Sequence, residues 1–247
     1  SFRARLDNHQ TKEAASPAGI PETRPENDKR ETLMIRLIFI GLFLFIFLVL
    51  LCPALLVEWI IGKFNPKAKS KSSLWLVQRA FGAILFLAGT KIEVKGRENI
   101  PDDRPVLYVG NHRSYFDIVI GYRLIKGEAG FVAKKEMQKI FVLRRWMTNL
   151  HCLFLDRDNL KEGLKTILTG IDYVKNGVSI WIFPEGTRNP GSGLMEFKEG
   201  SMKIAEKSGC PIIPVAITGT AEIFEKHLPR VKRSHVTVTF GEPIDVA

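Results

Sequence analysis

A histidine and an aspartate five positions apart are the first residues in this sequence able to do chemistry together. His112 and Asp117 lie within Asn111–Asp117, directly after a predicted strand. The pKa of a free histidine, near ~6.5, suits proton transfer at neutral pH, and a carboxylate beside the ring would orient it and stabilise the imidazolium. Because five residues turn an ideal helix by about 140° beyond a full turn, the side chains meet only if His112 precedes a helix and Asp117 lies in its first turn. A purely structural His–Asp contact in a loop is the alternative interpretation.

Two other predicted strands are also followed by charged side chains. Phe183–Arg188 comes after the most apolar strand, and its Arg188 is able to bind a phosphate through two parallel hydrogen bonds. Glu185, in the same segment, is suited to bind a hydroxyl group or to hold Arg188 in place. Arg157 ends a different strand and is able to join Arg188 on one anion. A surface turn with a local ion pair is the alternative here.

The sequence lacks the residue patterns that several other kinds of site require. The five histidines and three cysteines form no cluster with metal-ligand spacing, so no metal site is predicted. No serine stands in the G-x-S-x-G pattern of a nucleophile elbow, and no aromatic–basic or zinc-finger pattern of a nucleic-acid binder occurs. The small, odd number of cysteines also suits a reducing compartment.

The elements that must position these residues begin at Lys91, from where short apolar segments alternate with segments of helical periodicity. This alternation predicts an α/β fold with a mixed, partly parallel sheet flanked by helices. Ligands of such sheets bind beyond the carboxyl ends of the strands, where the charged residues above fall. The predicted strands are residues 92–94, 106–109, 130–133, 152–155, 178–183, 212–217 and 236–240. The predicted helices are residues 117–126, 135–149, 160–174 and 201–208.

The N-terminal part has a different composition. Residues 1–33 are polar, carry charges of both signs and show no apolar period, so they are predicted to be a disordered leader or tag. Residues 37–57 then contain no charged side chain, and their 21 positions are enough to cross a hydrocarbon core, which takes about 20 apolar residues. A signal peptide and a buried core helix are the alternatives. The prediction is membrane association.

The charge distribution also favours a membrane. The chain has a formal charge of +10, with 36 Lys and Arg against 26 Asp and Glu, which indicates an anionic partner. Residues 62–71 contain four lysines and no acid, and residues 74–88 form a second apolar stretch. We therefore predict a membrane-associated two-helix segment over residues 34–90 and a catalytic α/β domain over 91–247. If Met34 is the natural start, the lysines place that domain on the cytoplasmic side of the cell membrane.

Four sequence blocks, taken in their order and spacing, resemble those of the glycerophosphate acyltransferase family. The resemblance covers residues 74–245, and its strongest parts are the first and third blocks. The blocks are Asn111–Asp117, Phe154–Arg157, Phe183–Arg188 and Pro211–Val215. The chain departs from the common family pattern, in which proline or glycine is frequent, at Phe141, Arg144 and His151.

The resemblance implies a membrane enzyme that acylates lysophosphatidic acid on its free hydroxyl, giving phosphatidic acid. Acyl-CoA or acyl carrier protein would be the co-substrate, and no further cofactor is implied. His112 would be the general base and Asp117 would orient it. The residues implied to bind the acceptor are Arg157, Glu185, Gly186, Thr187 and Arg188.

Three alternatives stay open beside that function. The same chemistry on glycerol-3-phosphate or another lysolipid fits the same residues. A membrane lipid-binding protein without activity is a second class, although it leaves the joint presence of His112, Asp117, Glu185 and Arg188 unexplained. A basic nucleic-acid binder is a third class, and it leaves the apolar residues 37–57 unexplained.

Overall fold

The computed structural model describes residues 26–191 and 193–246. Of the leader predicted over residues 1–33, positions 1–25 lie outside the described residues. The remaining eight positions are helical, because the first helix begins at Glu26.

Seven strands form one twisted sheet, in the order β1-β7-β6-β2-β5-β3-β4. The five strands from β6 to β4 run parallel to one another, whereas β7 pairs antiparallel with β6 and parallel with β1. All seven predicted strands are confirmed, and so is the mixed, partly parallel α/β sheet, which proves to be mostly parallel. The strands are β1 Lys91–Lys95, β2 Leu107–Gly110, β3 Ala129–Lys134, β4 Leu153–Leu155, β5 Ser179–Ile182, β6 Ile212–Thr218 and β7 His235–Phe240.

Helices cover both faces of the sheet because side chains alternate between its faces along each strand. On one face, Tyr108 and Trp181 stack with ring centroids 5.0 Å apart and pack among apolar side chains of the N-terminal helices. On the other face, Leu107 and Ile180 pack against later helices. The helices are α1 Glu26–Phe64, α2 Pro66–Ala88, α3 Phe116–Leu124, α4 Phe141–Asn149, α5 Leu160–Lys175 and α6 Lys203–Ser208.

Two helix predictions need correction. The single helix predicted over residues 135–149 is a short 3-10 helix, Lys135–Lys139, followed by α4. The break falls at Ile140, whose backbone is extended with φ −89° and ψ 101°. The helix predicted over 201–208 likewise opens as a 3-10 turn, Glu199–Met202, before α6.

The two N-terminal helices form an antiparallel hairpin joined at Asn65. Asn65 accepts a hydrogen bond from the Ala68 backbone N–H at 2.9 Å, and Pro66 occupies the first turn of α2, so the local sequence starts the second helix at once. The lysine-rich residues 62–71 are therefore almost wholly helical. Ser72 of α2 donates to the buried Glu58 of α1 at 2.8 Å, which fixes the two helices side by side. Within the part of the chain that the structure describes, no helix is long and apolar enough to cross a membrane.

Candidate active site

The predicted site residues come together at one edge of the sheet. β2, β5 and β4 are parallel, so the segments that follow them all begin at the carboxyl-end side of the sheet. His112 follows β2, Glu185 follows β5 and Arg157 follows β4. The edge is the one where ligands of parallel sheets bind.

His112 and Asp117 form the hydrogen-bonded pair that their spacing predicts. His112 Nδ1 lies 2.9 Å from Asp117 Oδ2, with Asp117 in the first turn of α3 and the histidine before it. Asp117 is fully buried, and the same Oδ2 accepts from the backbone N–H groups of Arg113 at 2.6 Å and Ser114 at 2.7 Å. Because an ionised carboxylate can only accept, the neutral ring carries its proton on Nδ1. The lone pair of His112 Nε2 is then left to act as a base.

The ring of His112 is also fixed from the side. It stacks on Phe183, with ring centroids 4.1 Å apart and an angle of 12° between the planes. Its side chain keeps 14% of its surface exposed, so one part of the imidazole stays open to a reactant. Stacking and the Asp117 hydrogen bond together leave the ring a single orientation.

Glu185 is buried, and its carboxylate accepts hydrogen bonds from the loops around His112. Its Oε1 accepts from the His112 backbone N–H at 2.9 Å. Its Oε2 accepts from Asn189 Nδ2 at 3.0 Å and from the Met195 backbone N–H at 2.9 Å. Both oxygens therefore already accept hydrogen bonds from the protein. The carboxylate ties the loop after β2 to the loop after β5, while its predicted binding of the acceptor stays a prediction.

Arg188 lies over Tyr115 and beside an acid that the sequence did not single out. Its guanidinium carbon is 3.7 Å from the Tyr115 ring centroid. Its Nη1 is 3.4 Å from Glu225 Oε1, an oxygen that also accepts from the Tyr115 backbone N–H at 2.8 Å. The partner of Arg188 is thus Glu225 rather than Glu185. Among the described residues, Glu225 is the one carboxylate that pairs with Arg188. Since Arg188 has five N–H donors and keeps 38% of its side-chain surface exposed, it retains donors for an anion.

Glu225 could have been found from topology. It follows β6, which is parallel to β2 and beside it, so its segment leaves the sheet at the same edge as His112. No motif marks it, and only the pairing of β6 with β2 brings it near Arg188.

Arg157 approaches the same loop from the other side. Gly186 has φ +74°, and a Cβ built on it would lie 3.8 Å from the Arg157 guanidinium carbon and 3.6 Å from Lys198 Cγ. Two cationic side chains, those of Arg157 and Lys198, therefore lie within van der Waals range of position 186, beside Thr187, which is exposed. Lys198 is a second residue that the sequence did not single out.

Lys135 and Asp156 form an ion pair next to Arg157. Lys135 Nζ donates to Asp156 Oδ2 at 2.6 Å, which lowers the pKa of the Asp156 carboxyl below its ordinary value. Lys135 is thereby occupied by a carboxylate. In the described part of the chain, no group of three or more His, Cys, Asp or Glu side chains is placed to hold a metal ion.

Comparisons with known proteins agree with this arrangement. The acyltransferase family profile matches residues 91–218, which is more than half of the chain. The 1-acyl-sn-glycerol-3-phosphate acyltransferase of Haemophilus influenzae is 34% identical over 211 residues, covering 82% of this chain and 84% of the relative. The enzyme of that name from Escherichia coli is 33% identical over 68% of each chain. This chain belongs to the acyltransferase family.

A solved structure supports the membership independently. The crystal structure of the 1-acyl-sn-glycerophosphate acyltransferase from Thermotoga maritima superposes with a TM-score of 0.75 and 26% identity. The match covers 87% of this chain and 86% of that one, so it reaches beyond the sheet domain into the N-terminal part. As an acyltransferase, the chain carries its His–Asp pair on the same fold as that enzyme.

Proposed function

We propose that this acyltransferase transfers a fatty acyl group to the free hydroxyl of lysophosphatidic acid, giving phosphatidic acid. The donor is a thioester, acyl-CoA or acyl carrier protein. The relatives named 1-acyl-sn-glycerol-3-phosphate acyltransferase support the substrate class. The observation that carries the reaction is the 2.9 Å hydrogen bond between His112 and the buried Asp117, at an edge that also holds Arg188.

In this proposal, His112 acts as the general base. The acceptor hydroxyl oxygen attacks the thioester carbonyl carbon while its proton passes to His112 Nε2. The carbon–sulfur bond then breaks, and the same proton can pass on to the leaving thiolate. Asp117 stabilises the imidazolium that forms between these steps. Because a thioester is already activated, a covalent acyl-enzyme is not required.

In this proposal the acceptor phosphate binds to two arginines, Arg188 in the loop after β5 and Arg157 beside that loop. Arg188 offers guanidinium N–H donors, and Arg157 beside Gly186 adds a second positive charge. The exposed Thr187 lies between them in the chain and adds a hydroxyl. Glu185 contributes by holding the backbone of His112 against this loop.

The acceptor is a lipid, and we propose that the enzyme works at the cell membrane with its catalytic domain on the cytoplasmic side. In α1, side chains such as Ile38, Phe39 and Phe45 are more than half exposed although they are apolar. Apolar surface of this kind is stabilised by leaving water. The helical hairpin up to residue 90 is then the membrane-associated segment, and residues 91–247 are the catalytic domain.

The deciding experiment measures thiol release from palmitoyl-CoA by the purified full chain in detergent, with and without lysophosphatidic acid. Release that requires the acceptor and is lost in His112→Ala supports the proposal. The matched control is His235→Ala, which changes a histidine that is exposed at the start of β7.

Release without acceptor would instead indicate a hydrolase. Release only with glycerol-3-phosphate or another lysolipid would move the proposal to that acceptor. No release with any donor or acceptor would favour a lipid-binding protein.

A further inference from the structure

The segment that follows β3 exposes three large apolar side chains on the catalytic domain. Residues 134–141 are exposed without a break. Within them, Met137, Ile140 and Phe141 are 37%, 53% and 57% exposed. The Ile140 backbone N–H donates to the Met137 carbonyl at 3.4 Å, so the three residues lie within one turn of the chain. We call these three side chains the β3 patch. Apolar surface of this size is stabilised by leaving water.

The helix that carries Phe141 is anchored on its other side. Trp146 of α4 is buried, and Val142 and Met147 pack against the core. α4 also contacts both helices of the N-terminal hairpin. Because the inner face of α4 is already packed, the β3 patch needs a partner from outside the described chain in order to leave water.

The β3 patch lies in a strongly basic segment. Residues 134–145 contain five Lys and Arg against one acid, Glu136. Lys135 is paired with Asp156. The remaining cations of this segment form no ion pair within the part of the chain that the structure describes. Positive charge therefore stays at the surface around the apolar side chains and attracts an anionic partner.

Two of these cations lie close to the aromatic ring of the patch. The guanidinium carbons of Arg144 and Arg145 are 5.6 Å and 5.2 Å from the centroid of the Phe141 ring. Both distances are within the range over which a cation is attracted to an aromatic ring. An exposed ring beside two arginines combines an apolar group with long side chains that are able to reach phosphates.

The β3 patch lies on the same side of the sheet as the candidate active site. It follows β3 directly, and β3 runs parallel to both β4 and β5. The segment therefore begins at the carboxyl-end side, as the segments that carry Arg157 and Arg188 do. The ion pair of Lys135 with Asp156, the neighbour of Arg157 in the chain, joins the two regions.

We propose that the β3 patch and the arginines beside it are a second membrane-contact surface, which binds the catalytic domain to an anionic phospholipid bilayer. The apolar side chains enter the interface while Arg144 and Arg145 bind headgroup phosphates. A bilayer offers both layers at once, anionic above and apolar below. The inference rests on the proposed membrane location and extends it, because α1 is then joined by a contact beside the catalytic edge.

The first test places a reporter in the β3 patch. The full chain carrying Phe141→Trp is bound to phosphatidylcholine–phosphatidic acid vesicles, with or without bromine on the acyl chains. The spectrum of the unchanged protein is subtracted to isolate the added tryptophan. We expect its emission to shift to the blue and to be quenched by bromine. The matched control is Leu168→Trp, because Leu168 on α5 is 55% exposed and should stay in water.

The second test removes charge beside the patch. The double variant Arg144→Gln with Arg145→Gln should bind phosphatidic acid vesicles about tenfold less well or worse, because each basic residue near an anionic leaflet contributes about fivefold. Binding to pure phosphatidylcholine should change less. Lys175→Gln with Lys207→Gln is the matched control, because these lysines precede β5 and β6 at the amino-end side of the sheet. Acceptor-dependent thiol release in detergent should be unchanged in both variants.

The outcomes separate this surface from α1 and from the proposed reaction. If the chain sediments with vesicles while the added tryptophan of Phe141→Trp is not quenched, α1 is the contact and the proposal is overturned. It is also overturned if the chain binds no vesicles, or if acyl carrier protein shifts the reporter and vesicles do not. Loss of thiol release in detergent by the double arginine variant, with vesicle binding intact, overturns it as well. Quenching without any acyl transfer by the unchanged protein supports the surface and rejects the reaction.

Discussion

The imidazole of His112 is held by three residues, one in the first turn of α3 and two in the segment after β5. Asp117 fixes which nitrogen carries the proton, Phe183 fixes the plane of the ring, and Glu185 fixes the backbone beneath it. Each of these contacts holds the ring in place before substrate arrives. In the proposed role of general base, a ring that is already oriented avoids the reorganisation that a mobile ring would need in the transition state.

Replacing Asp117 with asparagine tests the orienting role. Asparagine keeps an oxygen for His112 and the two backbone N–H groups but loses the charge that stabilises an imidazolium. We expect kcat to fall by about 10²–10⁴-fold with the acceptor KM nearly unchanged, measured by acceptor-dependent thiol release. The same side-chain shape should preserve the far-UV circular dichroism spectrum. A kcat close to that of the unchanged protein would reject the general-base assignment.

Replacing Glu225 with glutamine tests the positioning of Arg188. The variant can still accept from the Tyr115 backbone N–H, but its neutral amide no longer attracts the guanidinium. We expect the acceptor KM to rise by about tenfold, the effect of about 1.4 kcal/mol, while kcat changes little. Glu222→Gln is the matched control, because Glu222 lies in the same segment and pairs with Lys226 instead. An equal effect in both variants would mean that Glu225 acts only through fold stability.

At the scale of elements, β3 and β4 meet more closely than ordinary side chains allow. A Cβ on Gly130 of β3 would overlap the backbone carbonyl of His151, so only glycine fits there. His151 itself takes a left-handed conformation in the turn that delivers the chain to β4. The position of Arg157 at the carboxyl end of β4 therefore depends on the close contact between β3 and the turn that precedes β4.

The turn at His151 predicts a pH-dependent stability. Burial lowers the pKa of His151 from 6.5, so the unfolded chain binds the proton more readily than the folded chain. Stability should therefore fall as pH drops through 6.5 and towards the lower folded value. We expect His151→Gly to unfold at a higher temperature than the unchanged protein at pH 7, and the difference should widen at lower pH. The measurement is a series of melting temperatures from pH 8 to pH 5.

A second substitution at the same turn separates charge from backbone strain. His151→Asn also removes the titrating group but keeps a side chain that tolerates a positive φ. It should match His151→Gly in pH dependence and need not match it in melting temperature. Identical pH dependence in all three proteins would show that protonation of His151 does not differ between folded and unfolded states.

At the scale of the whole molecule, the hairpin gives the protein two different surfaces. Ile38, Leu42 and Phe45 are exposed on α1, while Ile40 and Leu37 pack towards the rest of the chain. The sheet domain beyond residue 90 has its helices packed on both faces. The exposed apolar side of α1 is the surface of the hairpin that the proposed membrane association would use.

Placing charge on that surface should weaken membrane binding without touching the active site. Burying an apolar side chain of this size is worth about 1.5–3 kcal/mol. The double variant Ile38→Glu with Phe45→Glu should therefore partition into phosphatidylcholine–phosphatidic acid vesicles about a hundredfold less well, or worse. The measurement is co-sedimentation after detergent dilution. Leu168→Glu, on the exposed face of α5, is the control for added charge. Equal loss in both variants would contradict a specific role for α1.

The sequence by itself determined the strands, the order of the charged loops and the His112–Asp117 pair. These are local properties, because they follow from the alternation of apolar residues and from the geometry of a strand-to-helix turn. The family membership follows from the same blocks in the same order. The sequence predicted two helices within residues 34–90 but not their bounds. The structure begins the first helix at Glu26, and the lysines between the apolar stretches are helical, with Asn65 starting the second helix.

Only the tertiary structure decided which residues share a site. Glu225 meets Arg188 because β6 pairs with β2, and Lys198 meets Gly186 because its loop folds back beside β5. The hydrogen bonds that occupy Glu185 come from residues in three places along the chain. Contacts between distant segments depend on sheet order and helix packing, which periodicity along a single chain does not specify.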